Sequence, residues 1–117
     1  MKLPINIYLD FEGDEEEIFL DWTENNKGVL MDALLASCWE FANNQDLKEI
    51  IVMNFMDNSE IYYGEYVYQI SVTPNDAIQN LDECQNFFVE TEQYEKAISI
   101  KECREKMNSQ NNKGTEN

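Results

Sequence analysis

Alternation of apolar and polar residues marks the first forty residues as two short strands followed by a helix. Apolar side chains occupy every second position over Ile5–Phe11, and the same spacing returns over Ile18–Trp22, after the acidic loop Glu12–Glu17. A period of two is typical of a half-buried β-strand. We therefore predict a β-hairpin, with Gly13 in its turn.

The segment Gly28–Asn44 has helical spacing, with apolar residues in two adjacent stripes. The first stripe is Leu30, Leu34, Cys38 and Phe41, and the second is Met31, Leu35, Trp39 and Ala42. A helix this apolar is either covered by two layers of the fold or keeps one stripe for a partner. We expect the helix to be covered, since burial is the commoner outcome.

The remaining elements are predicted from a continuous apolar run, a long alternating segment and two helix starts. Glu49–Met56 is typical of a central strand, and Ile61–Val72 of a long strand that Gly64 would kink. Thr73 followed by proline begins one helix, and a second start follows at Thr91.

The predicted order is ββαββαα, in a small single α+β domain. It would have an antiparallel sheet of about four strands, one central helix and a C-terminal helical hairpin. We expect the domain to span residues 1–107 and the polar segment 108–117 to be a flexible tail.

Charge separates the chain into two unequal parts. The whole sequence has a formal net charge of −16, and residues 1–91, with nineteen acids and three bases, carry all of it. Residues 92–117 hold five acids and five bases and are neutral. Net charge keeps a protein soluble, but self-repulsion at this level also destabilises the folded state. The negative field therefore belongs to the folded body and suggests a further role.

One stretch of the C-terminal hairpin has a local resemblance to a known motif. The sequence YEKAISIKE over residues 94–102 resembles the second helix of the UVR motif, a short helical hairpin in excision-repair and Clp-associated proteins. The resemblance implies a surface for protein contacts. It covers about a dozen residues and departs from the motif at Phe88, Val89 and Arg104, and the chain as a whole resembles no family.

The chain has few of the side chains and motifs that catalysis and phosphate binding use. The chain has no histidine, a single arginine (Arg104) and no glycine-rich phosphate loop. Asp10, Glu12 and Asp21 could approach one another across the predicted hairpin, but acid–base chemistry needs two carboxylates fixed in a cleft. The acidic loop lacks the spacing of an EF-hand, in which glycine takes the sixth position. We expect no enzymatic activity, no cofactor and no dedicated metal site.

The cysteines and the lack of an apolar leader suggest a cytoplasmic protein. Cys38, Cys84 and Cys103 have neither metal nor redox spacing, and we expect small buried side chains in a reducing compartment. No stretch approaches the ~18 apolar residues of a membrane span. A monomer or a homodimer would suit the composition.

The leading functional hypothesis is an acidic inhibitor that occupies the basic, nucleic-acid-binding surface of a partner. Nucleases and other nucleic-acid enzymes are the expected partners, as for immunity, anti-restriction, anti-CRISPR and DNA-mimic proteins. Alternate strand positions lie about 6.6 Å apart, so acidic strands could imitate a row of phosphates. The lack of a basic surface argues against direct binding of nucleic acid or anionic membranes.

The residues that would contact such a partner form two groups, and exposed-type aromatic side chains beside them would anchor it. The first group is Asp10, Glu12, Asp14, Glu15, Glu16, Glu17, Asp21 and Glu24. The second is Asp57, Glu60, Tyr62, Tyr63 and Glu65. The aromatic residues outside these groups are Tyr8, Trp22, Trp39 and Tyr66.

A different class of function stays open, that of an acidic chaperone, adaptor or phage accessory protein. In that case the second stripe of helix 28–44 and the C-terminal helical hairpin would form the interaction surface, and the acids would only maintain solubility. Binding through charge would weaken with salt, whereas binding through the apolar stripe would not.

Overall fold

Four helices and a three-stranded sheet make up the described part of the chain. The structure, a computed structural model, describes residues 1–58 and 66–115, with side chains described as far as Ser109. The elements in chain order are β1 (Ile5–Leu9), α1 (Glu15–Asn25), α2 (Lys27–Asn43), β2 (Ile50–Asp57), β3 (Tyr66–Val72), α3 (Pro74–Glu90) and α4 (Tyr94–Thr115). The α+β class is confirmed, but the order is βααββαα rather than ββαββαα.

The predicted second strand over Ile18–Trp22 is wrong, because these residues lie inside α1. Asp14 caps this helix by accepting a hydrogen bond from the backbone N–H of Glu17, and three glutamates occupy the first turn. Carboxylates at this end are favoured by the helix dipole. Gly13, with a φ of +106°, precedes the cap instead of turning a hairpin.

The sheet is mixed rather than antiparallel, and its three strands lie in the order β1-β2-β3. β1 pairs with β2 in parallel, with Ile5 opposite Met53 and Leu9 opposite Asp57. β2 and β3 pair antiparallel, as predicted for consecutive strands. The parallel pair is possible because the helical segment between β1 and β2 supplies the long crossover connection that parallel strands need.

The helical layer packs against one face of the sheet, where Met53 and Phe55 of the central strand are fully buried. α2 contacts β2, α3 and α4. Both of its apolar stripes are covered, since Leu34, Cys38, Met31 and Leu35 are all buried. The expectation that α2 is covered is thus confirmed.

The C-terminal hairpin is confirmed as α3 and α4. Thr73 begins α3 in a capping box: its hydroxyl accepts from the backbone N–H of Asp76, whose carboxylate accepts from the backbone N–H of Thr73. α4 is helical through Thr115, and the flexible tail over 108–117 stays a prediction. The predicted kink at Gly64 lies outside the described residues.

Candidate acidic interface

The acidic group of residues 10–24 begins where β1 ends. Asp10 follows the strand directly, and its carboxylate accepts a hydrogen bond from the backbone N–H of Glu12 at 3.1 Å. The chain then enters α1 through the Asp14 cap. Asp10, Glu12, Asp14, Glu15, Glu16, Glu17, Asp21 and Glu24 are all exposed. We call these eight residues the acidic segment.

Aromatic packing fixes the orientation of the acidic segment relative to the sheet. The Phe19 ring lies 4.8 Å from the ring of Phe55 and stacks on Tyr68 at 4.7 Å. Trp22, one turn further along α1, meets the edge of Phe55 at 5.2 Å. One side of α1 is therefore held on the sheet, and the carboxylates on the other side point into solvent.

Three carboxylates form a ridge along the exposed side of α1. Glu17, Asp21 and Glu24 are four and three residues apart, so successive members lie about one turn, or ~5.4 Å of rise, apart. Leu20 lies beside the ridge and is 52% exposed. The predicted geometry of carboxylates on alternate strand positions does not apply, because a helix carries these acids.

The carboxylates at the two ends of α1 have opposite effects on the helix. Glu15, Glu16 and Glu17 stand in the first turn, where the helix dipole stabilises negative charge. Glu24 lies in the last turn, where negative charge is unfavourable and no basic residue is present. Glu17 and Asp21 also repel each other at a spacing of four. Helix stability thus accounts for the first-turn acids but not for Asp21 and Glu24.

The negative field of the acidic segment reaches the sheet at Tyr68. Partial burial, followed by the carboxylates of Glu16, Glu15 and Asp14, raises the pKa of the Tyr68 phenol above its ordinary value of 10.0. Both effects disfavour the phenolate. The first turn of α1 therefore projects its charge over the end of the sheet.

Both ion pairs recorded among the described residues belong to α4 and not to the acidic segment. Lys96 pairs with Asp32 at 2.8 Å, and Arg104 pairs with Asp82 at 2.9 Å. Within residues 1–58 and 66–109, no lysine or arginine lies within ion-pair distance of any carboxylate of the acidic segment. The cations of α4 thus offset charge on α2 and α3 and leave the charge of α1 uncompensated.

The second predicted group is only partly within the described residues. Asp57 ends β2, is half-buried and lies opposite Leu9, so it is at the same end of the sheet as Asp10. Glu60, Tyr62, Tyr63 and Glu65 lie outside the described residues.

The four other aromatic residues that the sequence suggested as exposed differ in their surroundings. Tyr8 and Tyr66 are 59% and 56% exposed. Trp22 packs on Phe55, and Trp39 donates a hydrogen bond from Nε1 to the Ser99 hydroxyl at 2.9 Å. Of these four residues, Tyr8 and Tyr66 are therefore the ones placed to meet a partner.

Two rows of side chains across the sheet were not identified from the sequence. In the first, Gln69 Nε2 donates to Asn54 Oδ1 at 2.8 Å, and Asn54 Nδ2 donates to Asn6 Oδ1 at 3.2 Å. In the second, Met56 lies opposite both Tyr8 and Tyr66. The isolated residues give no signal for these rows, because the rows depend on the parallel register of β1 and β2.

The three thiols are buried in the helical layer. Burial is the main cause that raises the pKa of Cys38 and of Cys84 to about 12 and that of Cys103 to about 11. Cys38 donates weakly to the Ala77 carbonyl, and Cys84 to the Met31 carbonyl, both at 3.5 Å. Protonated thiols of this kind are poor nucleophiles and poor metal ligands.

The described ranges contain neither a metal-binding cluster nor a helix suited to span a membrane. No group of three or more cysteine, aspartate or glutamate side chains is arranged to hold a metal ion. None of the helices there combines the length and apolar character that crossing a membrane requires.

Comparisons with protein-family models, with curated proteins and with solved structures give no match.

Proposed function

We propose that this chain binds a positively charged protein surface through its acidic segment, and that the partner uses this surface to bind nucleic acid. The observation that carries the proposal is the group of eight exposed carboxylates at residues 10–24. Aromatic packing holds α1 on the sheet, and no lysine or arginine of residues 1–58 and 66–109 pairs with any of these carboxylates. A basic cleft that attracts phosphates would attract this group by the same long-range field.

The placement of Asp21 and Glu24 adds weight to this proposal. Both are unfavourable for the helix that carries them. A role in binding would account for carboxylates that the fold does not need. The first-turn glutamates have a structural reason to be there, so they are weaker support.

The test is capture of partners from a host lysate at low salt, followed by elution with duplex DNA. We expect the dominant retained protein to be a nuclease or another nucleic-acid enzyme, and we expect DNA to displace it, because both ligands would occupy one surface. A dominant protein that DNA does not displace would contradict the proposal.

A charge-reversed pair and a matched control sharpen this test. Asp21→Lys with Glu24→Lys places two lysines three residues apart on exposed α1. Glu102→Lys with Glu105→Lys makes the same change in charge, at the same spacing, on exposed positions of α4. We expect the α1 pair to lose the retained protein and the α4 pair to keep it. Equal losses would show that only total charge matters.

A second candidate, an adaptor that binds through apolar contacts, is favoured by one observation on the hairpin. Tyr94 and Ile98, one turn apart on α4, are 58% and 57% exposed. Tyr94 also lines a cleft of about 460 Å³ that residues 92–96 form. The second stripe of α2 offers no such surface, because Met31 and Leu35 are buried. For this candidate, Tyr94→Ala with Ile98→Ala would abolish binding of a partner at high and low salt alike.

A further inference from the structure

On the face of the sheet that no described helix covers, two exposed tyrosines lie in one row. Tyr8 on β1 and Tyr66 on β3 both lie opposite Met56 of the central strand. The pairing of β2 with β3 shifts by one residue between Phe55 and Met56, so Tyr66 is out of step with Tyr68, which faces α1. Neighbouring strands are about 4.8 Å apart, so the two tyrosines stand about 10 Å apart across the sheet. We call Tyr8, Met56 and Tyr66 the tyrosine row.

The tyrosine row lies at the same end of the sheet as the start of the acidic segment. Tyr8 precedes Asp10 by two residues, and the backbone N–H of Asn58 donates to the Leu9 carbonyl at 2.8 Å, which holds the ends of β1 and β2 together. The row therefore lies at the end of the sheet where the acidic segment begins, two residues from Asp10 along the chain. On the other side of the row are the linked, uncharged amides of Asn6, Asn54 and Gln69.

We infer that the tyrosine row binds arginine side chains of the basic partner, an inference that rests on the proposed function. A guanidinium stacks on an aromatic face and is weakly hydrated, whereas a lysine ammonium is compact and strongly hydrated. Electron-rich phenol rings next to uncompensated carboxylates therefore select arginine over lysine. The carboxylates attract any cation, and the tyrosines discriminate between cations.

Charge also decides between this occupant and a second copy of the chain. Two copies, each with a formal net charge of −16, repel each other at short range, and the acidic segments would be drawn close together if the two open faces met. An arginine-bearing surface gains from the same field. The face therefore suits a cationic partner better than self-association.

The test compares two labelled peptides of equal length, oligo-arginine and oligo-lysine, by fluorescence anisotropy at low and moderate salt. We expect the chain to bind oligo-arginine about tenfold more tightly, since each exposed cation–π contact supplies a few-fold. Tyr8→Thr with Tyr66→Thr keeps strand-forming residues and should remove this preference. Tyr8→Phe with Tyr66→Phe keeps the rings and should retain it.

Tyr94→Thr is the matched control, because Tyr94 is 58% exposed, close to the 59% and 56% of Tyr8 and Tyr66. The control should keep the preference for oligo-arginine. A chain without that preference, a threonine pair that keeps it, or a Tyr94→Thr control that loses it would overturn the inference.

Nitration with tetranitromethane tests the inference on the native chain, so the result does not depend on whether a variant folds. Oligo-arginine should protect Tyr8 and Tyr66 from nitration and leave Tyr94 reactive. Equal protection of all three tyrosines would overturn the inference. Sedimentation gives a further outcome that would overturn it: a dimer of the native chain that is lost in the variant with Tyr8→Thr and Tyr66→Thr. In that case a second copy of the chain would occupy the face.

The variant with Asp21→Lys and Glu24→Lys separates failure of this inference from failure of the proposed function. Under the proposed function, these two substitutions weaken the binding of oligo-arginine and of oligo-lysine equally. If the pair does so while the tyrosine variants change nothing, the inference fails and the proposed function stands. If neither set of variants changes binding, both fail.

Discussion

Single carboxylates of α1 differ in what they do for the helix that carries them. Asp14 accepts a hydrogen bond from the backbone N–H of Glu17 at 3.2 Å, and the first-turn glutamates interact favourably with the helix dipole. Asp21 and Glu24 have neither role. The distinction separates the acids that the fold uses from those that it tolerates.

Reversing the charge of Asp21 and Glu24 should therefore stabilise the fold. Lysine near the end of α1 is favoured by the dipole and removes repulsion with Glu17, so we expect the free energy of unfolding to rise by about 1 kcal/mol in all. Urea unfolding of the double variant measures this change. Glu102→Lys with Glu105→Lys, within α4, should give no such gain, and a loss of stability in the α1 pair would contradict the interpretation.

The buried thiols make stability depend on alkaline pH. In the folded chain the pKa of Cys38 and of Cys84 is raised from 9.0 to about 12, so the thiols stay protonated there while those of the unfolded chain ionise. The unfolded state then binds fewer protons, and the free energy of unfolding falls as the pH rises from about 9 towards 12.

Urea midpoints measured at pH values between neutral and about 11 test this dependence. Cys84→Ala should lower the midpoint at neutral pH and make its further fall with pH shallower, because one buried thiol is gone. Unchanged stability of the native chain across this range would contradict the assignment of buried, protonated thiols.

Among the elements, α1 is the one on which the position of the acidic segment depends. Its half-buried side, with Ile18, Phe19 and Trp22, lies on the sheet next to Phe55 and Tyr68. Because these contacts belong to a helix, Leu20 is left 52% exposed. In the hairpin that the alternation predicts, Leu20 would share the buried face with Ile18 and Trp22.

Two alanine substitutions distinguish the helix from the hairpin. Phe19→Ala removes a ring that packs on Phe55 and Tyr68, and we expect it to lower the free energy of unfolding by about 2–3 kcal/mol. Leu20→Ala removes an exposed side chain and should change that energy by less than about 0.5 kcal/mol. Urea unfolding measures both, and the opposite ranking would support the hairpin.

Most elements are predictable from the sequence because the pattern of each fits one type of secondary structure. The apolar run ending at Met56, the two stripes over Gly28–Asn44 and the capping box at Thr73 each match the structure. The segment Ile18–Trp22 allows two readings, since four of its five residues are apolar and fit either period. The local signal that favours a helix is Asp14 before three glutamates, but a run of acids with Gly13 beside it is equally typical of a loop.

The site was predicted less completely than the fold. The exposed acids of residues 10–24 could be listed from composition, but their arrangement depends on α1 and changes from a strand array to a helical ridge. The tyrosine row could not be found, because the pairing of Tyr8 with Met56 joins residues 48 positions apart in a parallel register. No local pattern encodes such a register.

Across the whole molecule, the net negative charge and the cations that form ion pairs lie in different parts of the chain. All of the formal net charge of −16 belongs to residues 1–91, and both ion pairs among the described residues use cations of α4. Five bases balance five acids within residues 92–117, while no cation of the described residues pairs with the acidic segment at the end of the sheet. A molecule with this distribution of charge would be oriented by the field so that α1 and the end of the sheet face a cationic surface.

The most direct test of this account is the association rate between the chain and the protein that it retains from lysate, measured at increasing ionic strength. We expect the rate to fall steeply with salt, and to be reduced at low salt by Asp21→Lys with Glu24→Lys but not by Glu102→Lys with Glu105→Lys. An association rate that is insensitive to salt, or that both pairs of substitutions reduce equally, would contradict the claim that the acidic segment meets a positively charged surface.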